Sequence, residues 1–378
     1  MTAPAAAGEF RVAFGDLAGD YREKRAAIDA AVARVLARGW FILGEEVRRF
    51  EEEFAAALAV RHVVACANGT EAIALALAAC GVEPGDEVIL PANTCVARLA
   101  GVRMAGLRPV LADAEPRTLT LDPEKAERVA TRRTRVLLPV HLYGGVADLD
   151  ACAALASRLG ASLVEDCAQS HGARWRGRAT GGFGRTAAFS FYPSKNLGAY
   201  GDGGAVATDD AGLASRLREL RQYGWTRRDY SEREGWNSRL DEIQAAILRA
   251  KLPDLERENG RRREIADRYD AGLRDLPVAR LESRPESVPA RHLYPIRVPE
   301  RDSLRAHLAA RGIETGVHYP VPLHLHPAYA FLGHRRGDFP VSEEASETLV
   351  SLPIHPTLSE AQVDAVVSGV RSYFEGRP

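Results

Sequence analysis

From about residue 24 to residue 60, apolar side chains return every three or four positions. Ile28, Val32, Val35 and Leu36 share one helical face, Gly39 stops that helix, and Val47, Phe50, Phe54 and Leu58 share a face of the next. The stretch between them, Gly39-Trp40-Phe41-Ile42-Leu43-Gly44, is apolar and flanked by glycines, and is expected to pack against something other than its own helices. The pattern then changes. Short β-prone runs at 63–66, 87–90, 109–112, 136–140, 162–165, 187–192 and 205–208 alternate with helical segments. This alternation predicts an α/β fold with a mostly parallel, seven-stranded sheet between helices. Ligands of such sheets bind at the carboxyl ends of the strands, so the residues just after each run carry the functional information.

A helix that begins near Asp241 ends at Leu252-Pro253, and a long charged helix follows. Beyond it, HLYPIRV reads as a strand, SLRAHLAARG as a helix, VHYPVPLHLHPAY as a proline- and histidine-rich segment, and a last helix starts at Ser359. The expected layout is a large domain over 1–254 and a smaller α+β domain over 255–378, which suits a chain of 378 residues. No internal repeat or low-complexity tract interrupts it.

Composition narrows the partners. A formal net charge of −1 gives no electrostatic reason to expect nucleic acid or an anionic membrane. The longest apolar run, 72–82, is too short to span a bilayer. The N-terminal MTAPAAAGEFRVAFGD lacks the basic start and apolar core of a signal peptide. The five cysteines, Cys66, Cys80, Cys95, Cys152 and Cys167, are scattered, odd in number and without C-x-x-C spacing. That suits reduced thiols in a cytoplasm, not a disulfide framework or a zinc site.

Three strand ends carry chemistry. VVAC is followed by Asn68-Gly69-Thr70 and then by an unbroken helical stretch, EAIALALAAC. Strand, tight turn and helix start point free N–H groups and the positive end of the helix dipole at an anion, typically phosphate. An ordinary capped turn would read the same way. SLVE is followed by Asp166, a carboxylate that is costly to bury unless it meets a cation, caps a helix or joins a structural ion pair. AFSFYPSKNLGAYGDGGAV places Lys195 five residues after Ser190 and ahead of a glycine-rich turn. A lysine at the mouth of an apolar pocket becomes a nucleophile towards carbonyls, giving a Schiff base, whereas a surface lysine would simply snorkel. Together the three features suit pyridoxal 5′-phosphate. The turn anchors its phosphate, the carboxylate holds the pyridine nitrogen, and the lysine bonds its carbonyl.

The motifs GWFILGEEVRRFEEEFA, NGTEAIALAL, VILPANTCVA, HLYGGVADLD, VEDCAQSHGA, FSFYPSKNLGAYGDGGAV, NSRLDEIQAA, GIETGVHYPVPLHLHPAY and SLPIHPTLSEAQV follow one another along nearly the whole chain. In this order they resemble the DegT/DnrJ/EryC1/StrS family of fold-type-I, pyridoxal-phosphate-dependent sugar aminotransferases. The resemblance implies Lys195 as the Schiff-base lysine, Asp166 as partner of the pyridine nitrogen and Gln169 beside the ring. It implies Gly69, Thr70 and Ser190 as phosphate ligands. It also implies Asn237 as a residue reaching the phosphate of the neighbouring subunit, hence a homodimer with composite sites. A helix N-cap is the other reading of Asn237. Two positions depart from the family. Cys95 follows Thr94 where many relatives carry an aromatic residue stacked on the cofactor; its polarizable thiol is expected to lie on the cofactor ring with less stacking area, and Gly145 near Tyr143 stands where relatives often place a larger polar residue. Tyr143, His318 and Tyr319 resemble substrate-side residues.

The implied reaction moves an amino group from L-glutamate to a nucleotide-linked keto-deoxysugar, and NSRLDE favours a dTDP-3-keto-6-deoxyhexose over a 4-keto acceptor. Dehydratases of the same fold carry histidine in place of the lysine, against Lys195. A non-catalytic or regulatory binder of the same ligand is the alternative of another class. His324 and His326 have the spacing of a metal pair, but no carboxylate accompanies them in their loop, so no metal is expected.

Overall fold

The computed structural model describes residues 11–375. All seven β-prone runs enter one sheet. Its order is His62–Cys66, Gly204–Thr208, Thr186–Ser190, Ser162–Asp166, Thr134–Leu137, Glu87–Pro91 and Arg108–Ala112. Gly204–Thr208 runs antiparallel to both neighbours, and the other pairs are parallel. The 136–140 run forms a shorter strand than its apolarity suggests, because Pro139 has no N–H to give to a ladder. Pairing resumes beyond it. The Pro139 carbonyl accepts from Asp166 N–H at 3.0 Å, and His141 N–H donates to the Asp166 carbonyl at 3.1 Å.

Side chains alternate across the sheet with the period of two that a strand imposes. Val64, Val164, Ala188 and Val206 face the helix Gly69–Ala79, which is buried along nearly its whole length. Ala187, Phe189, Ala205 and Ala207 face the opposite way, onto Phe50 and Phe54 of the helix Glu45–Leu58 and Ala245 and Leu248 of the helix Glu242–Lys251. The first helix, Leu17–Arg38, starts earlier than its apolar face indicates. The Asp16 carboxylate caps it by accepting from Gly19 N–H at 2.7 Å, and Gly39 ends it with φ 65°. Its inward face is Ile28, Ala31 and Val35, and Leu36 is 56% exposed.

A separate cluster joins the helices Leu255–Gly272, Arg301–Ala309 and Glu360–Glu375 to a three-stranded sheet. In that sheet Tyr294–Arg297 lies between Ala279–Arg280 and Leu349–Leu352. Leu349–Leu352 falls in a segment where periodicity suggested no strand. Val12 belongs to this cluster through a bridge to Ile313. The two sets of elements are tied by Asp113, which accepts from the N–H groups of Val341 at 3.0 Å and Ser342 at 2.9 Å. Among the described residues no helix is long and apolar enough to cross a membrane.

Candidate active site

The ends of three sheet strands converge on a cavity of about 390 Å³. At one end the chain leaves His62–Cys66 and turns into the helix Gly69–Ala79. The Asn68 side chain caps this helix by accepting from Glu71 N–H at 2.9 Å, and Gly69 and Thr70 occupy its first turn, where N–H groups have no intrahelical partner. Ser190, the last residue of its strand, presses against the turn: a Cβ on Gly69 would lie 2.5 Å from Ser190 Cβ. Two free N–H groups, a hydroxyl and a helix N-terminus thus make one end of the cavity a cradle for an anion.

Asp166, the last residue of Ser162–Asp166, is fully buried. Its carboxylate accepts from Ala168 N–H at 2.9 Å and from two nitrogens of Arg98, Nε at 2.5 Å and Nη2 at 3.4 Å. Burial opposes the charge on Arg98, but the Asp166 carboxylate outweighs it and the guanidinium pKa is raised. The preceding residue, Glu165, takes the alternate side of the strand and serves a different purpose. It accepts from Gly181, Phe183 and Gly184 N–H groups and lies 3.1 Å from His141, so its oxygens are committed to the 181–184 turn. Glu165 and His141 also approach Cys167 as a buried trio of potential metal-ligand type, but these hydrogen bonds already occupy the carboxylate.

Lys195 follows a tight turn in which its N–H donates to the Tyr192 carbonyl at 2.8 Å. Burial first, and the Arg98 charge second, push its pKa down to about 8, while Asp166 and Cys95 pull the other way. The lysine stands between two cavities. The second, of about 290 Å³, shares Ser194, Lys195 and Tyr319 with the first and continues to Gln169, His292 and His318. Gln169 ties its wall together. It accepts from Tyr143 N–H at 2.6 Å and donates to Tyr319 Oη at 3.0 Å, and Tyr143 Oη donates to the His318 carbonyl at 2.6 Å. Burial, then Lys195, lowers His318 to about 4, and burial lifts Tyr319 to about 12.

Gly69, Thr70, Ser190, Lys195 and Cys95 therefore line the first cavity, Asp166 closes on it through Arg98, and Gln169, His318 and Tyr319 line the second, with Tyr143 behind them. Asn237 is not among them. It is exposed, bridges to Gln222, and caps no helix, since the helix Glu242–Lys251 begins after Asp241. His324 is not an isolated loop residue either. Its Nε2 lies 2.9 Å from Oε1 of Glu343, a carboxylate brought from 19 residues away that also accepts from Gly337 N–H. Two residues of the site escaped sequence reasoning. His292 has no local motif. Arg98 has a faint one, an arginine in the first turn of a short helix whose other residues, Arg103 apart, are apolar or glycine.

An anion cradle, a buried carboxylate and an amine with lowered pKa around one cavity fit the phosphate, ring nitrogen and carbonyl of pyridoxal 5′-phosphate. Sequence comparison decides the family: the profile of the DegT/DnrJ/EryC1/StrS aminotransferase family matches residues 22–371. The chain belongs to that family. Its cofactor is pyridoxal 5′-phosphate, and it is an aminotransferase. It is 50% identical over 367 residues to the dTDP-3-amino-3,4,6-trideoxy-alpha-D-glucose transaminase of Streptomyces venezuelae, covering 97% of each chain. It is 48% identical to the erythromycin biosynthesis sensory transduction protein EryC1 of Saccharopolyspora erythraea, covering 96% of this chain and 99% of that one. The crystal structure of S. venezuelae DesV in complex with a ketimine intermediate superposes with a TM-score of 0.95 at 49% identity, over 97% of this chain and 100% of that one. The family's mostly parallel sheet and flanking helices are the ones described above.

Proposed function

We propose that this aminotransferase carries an amino group from L-glutamate to C3 of a dTDP-linked 3-keto-6-deoxyhexose. The observation that carries the reading is Lys195, an amine of lowered pKa set between an anion cradle and a second, histidine-lined cavity. Amination at C3 draws support from the names of relatives. Besides the S. venezuelae enzyme, the chain is 41% identical to the dTDP-3-amino-3,6-dideoxy-alpha-D-galactopyranose transaminase of Aneurinibacillus thermoaerophilus.

In this reading Gly69, Thr70 and Ser190 hold the cofactor phosphate, Asp166 meets the ring nitrogen, and Gln169 lies beside the ring. When bound, the cofactor supplies an electron sink that stabilises charge at the substrate carbon. Lys195 would hold the cofactor through its carbonyl carbon, and its Nζ, when free, would be placed to take a proton from the substrate carbon and to return one. A pKa of about 8 suits both directions, since the two protonation states interconvert near neutral pH. His318 and Tyr319 face the substrate, with Tyr143 fixing them from behind.

The same reading makes the molecule a homodimer acting in the cytoplasm. Trp40, Phe41 and Ile42 lie between two helices yet are 64%, 46% and 37% exposed, an apolar strip that a second copy would cover. Asn237, exposed and away from its own chain's cavity, is then free to reach the phosphate of the partner. The regulatory alternative draws on EryC1, which is named for sensory transduction. A pure binder, however, has no use for a proton-shuttling amine.

The test is a half-reaction. Cofactor-loaded protein should show a visible absorption band, absent from Lys195→Ala, that dTDP-3-amino sugars convert to the pyridoxamine form and dTDP-4-amino sugars do not. Conversion by the 4-amino sugar alone overturns the position of amination, and a wild-type protein without the band overturns the enzyme reading of the site.

A further inference from the structure

Arg98 is the second residue of the helix Ala97–Met104, and it is 4% exposed. Both guanidinium edges that reach Asp166 engage a separate carboxylate oxygen, so the pair is held in a fork and not as a single contact. Its position is set from a second direction. A Cβ on Gly101, one turn further on, would lie 2.8 Å from Ile73 Cβ and from the Thr70 carbonyl. The helix carrying Arg98 is thus pressed onto the helix that starts at the anion cradle. Burying a guanidinium and a carboxylate together seldom adds stability over an apolar pair, so stability alone gives little reason for a charged pair in this place. Arg98 also lines the same cavity as Gly69, Thr70, Ser190 and Lys195, which an ion pair serving only the fold need not do.

Lys195 has several charged and titratable neighbours. The charges of Arg98, Asp166 and Cys95 act on it. His171, His292 and His318 in turn feel its charge, and burial holds each of them below the usual histidine range, His171 at about 3 and His318 at about 4. These three are uncharged near neutral pH. Among the described groups acting on Lys195, the lasting positive charge is that of Arg98.

Resting on the cofactor reading above, we propose that Arg98 is a positioning residue of the site: the fixed counter-ion of Asp166, sharing that carboxylate with the ring nitrogen of the cofactor and setting the electrostatic balance at Lys195. A carboxylate already engaged by a guanidinium is a weaker partner for a protonated ring nitrogen than a free one. The same fixed charge disfavours a proton on the nitrogen of Lys195, in the free amine and in its linkage to the cofactor alike.

The experiment titrates the visible band of the cofactor-loaded protein with pH in the wild type, Arg98→Gln, Arg98→Met and Arg98→Lys. Gln keeps a donor for Asp166 without the charge, Met removes both, and Lys keeps the charge without the fork. The midpoint should rise by on the order of one pH unit in Gln or Met, whichever folds, and stay near the wild-type value in Lys. A midpoint unmoved in the neutral variants, or moved equally in Lys, overturns the proposal. A wild-type protein with no visible band would instead overturn the cofactor reading on which it rests.

Discussion

Replacing Gly69 with alanine isolates the contribution of the anion cradle. The backbone at Gly69 does not lie in the left-handed region, so an alanine there costs nothing in conformation. What it meets is Ser190: the new methyl would lie 2.5 Å from Cβ, 2.8 Å from Oγ and 3.1 Å from Cα of that residue. Carbon atoms pack at about 3.5–4.0 Å, so turn and strand must separate by roughly 1 Å. Overpacking of this kind costs about 1–3 kcal/mol of stability. The same movement carries the first-turn N–H groups away from the serine hydroxyl, and a hydrogen bond to a charged group is worth about 1.5–3 kcal/mol. Losing one such bond weakens cofactor affinity by roughly ten- to a hundredfold. Titrating ligand-free Gly69→Ala with pyridoxal 5′-phosphate, read by the visible band, measures the loss, and thermal melting of the ligand-free protein measures the strain. Gly69→Ala/Ser190→Gly removes two of the three clashing atoms and should recover most of the melting temperature while leaving affinity low. If Gly69→Ala binds within twofold of wild type while its melting temperature drops, the turn does not hold the phosphate, and the cradle is only a tight corner of the fold.

Glu242→Ala should destabilise the protein by roughly 3–5 kcal/mol in urea denaturation, because this carboxylate accepts from the N–H groups of Gly44, Glu46 and Val47 at 2.9 Å each and their loss leaves the start of a helix without acceptors. A loss under about 1 kcal/mol would mean that water takes over the role. Stability should also fall as pH drops below about 6.5, since His318 and His355 sit near 4 in the folded protein and unfolded histidines take protons that the folded ones refuse. The slope, about 1.4 kcal/mol per pH unit for each histidine, should become shallower by that amount in His355→Gln between pH 6 and 4.5. An unchanged slope would show that His355 is protonated in the folded state.

The sheet was legible because its strands are buried on both sides and so read as apolar runs, each ended by helical periodicity. Where reading failed, a local feature overrode the run. Pro139 shortens one strand by withholding its N–H. Leu349–Leu352 hides a serine in four residues, and only its pairing with Tyr294–Arg297 makes it a strand. The strip from Trp40 to Ile42 was expected to pack on something other than its own helices. Within this chain the backbone does find a neighbour, through Ile42 and Asp241, while the side chains stay exposed.

The site divides along the same line. Gly69, Thr70, Asp166, Ser190 and Lys195 each sit at a strand end, where residue type and position in the fold can be read together from a few neighbouring letters. Gln169, Tyr143 and Tyr319 come from three distant segments, and their hydrogen-bonded unit exists only once the sheet and the 318–319 segment have been brought together. Arg98 is the instructive case. It lies three residues after Cys95, one of the two positions that depart from the family, and no motif of neighbouring letters marks its charge as belonging to the site. Both residues line the cavity holding Lys195: a thiol stands where an aromatic face would stack, and a guanidinium locked to Asp166 stands beside the same cavity. A ring-stacking contact and a fixed charge act on a bound cofactor in different ways, the first through area and the second through the protons of neighbouring nitrogens. Lys195 should therefore depend on position 98 for its proton affinity in a way that composition and motif could not reveal.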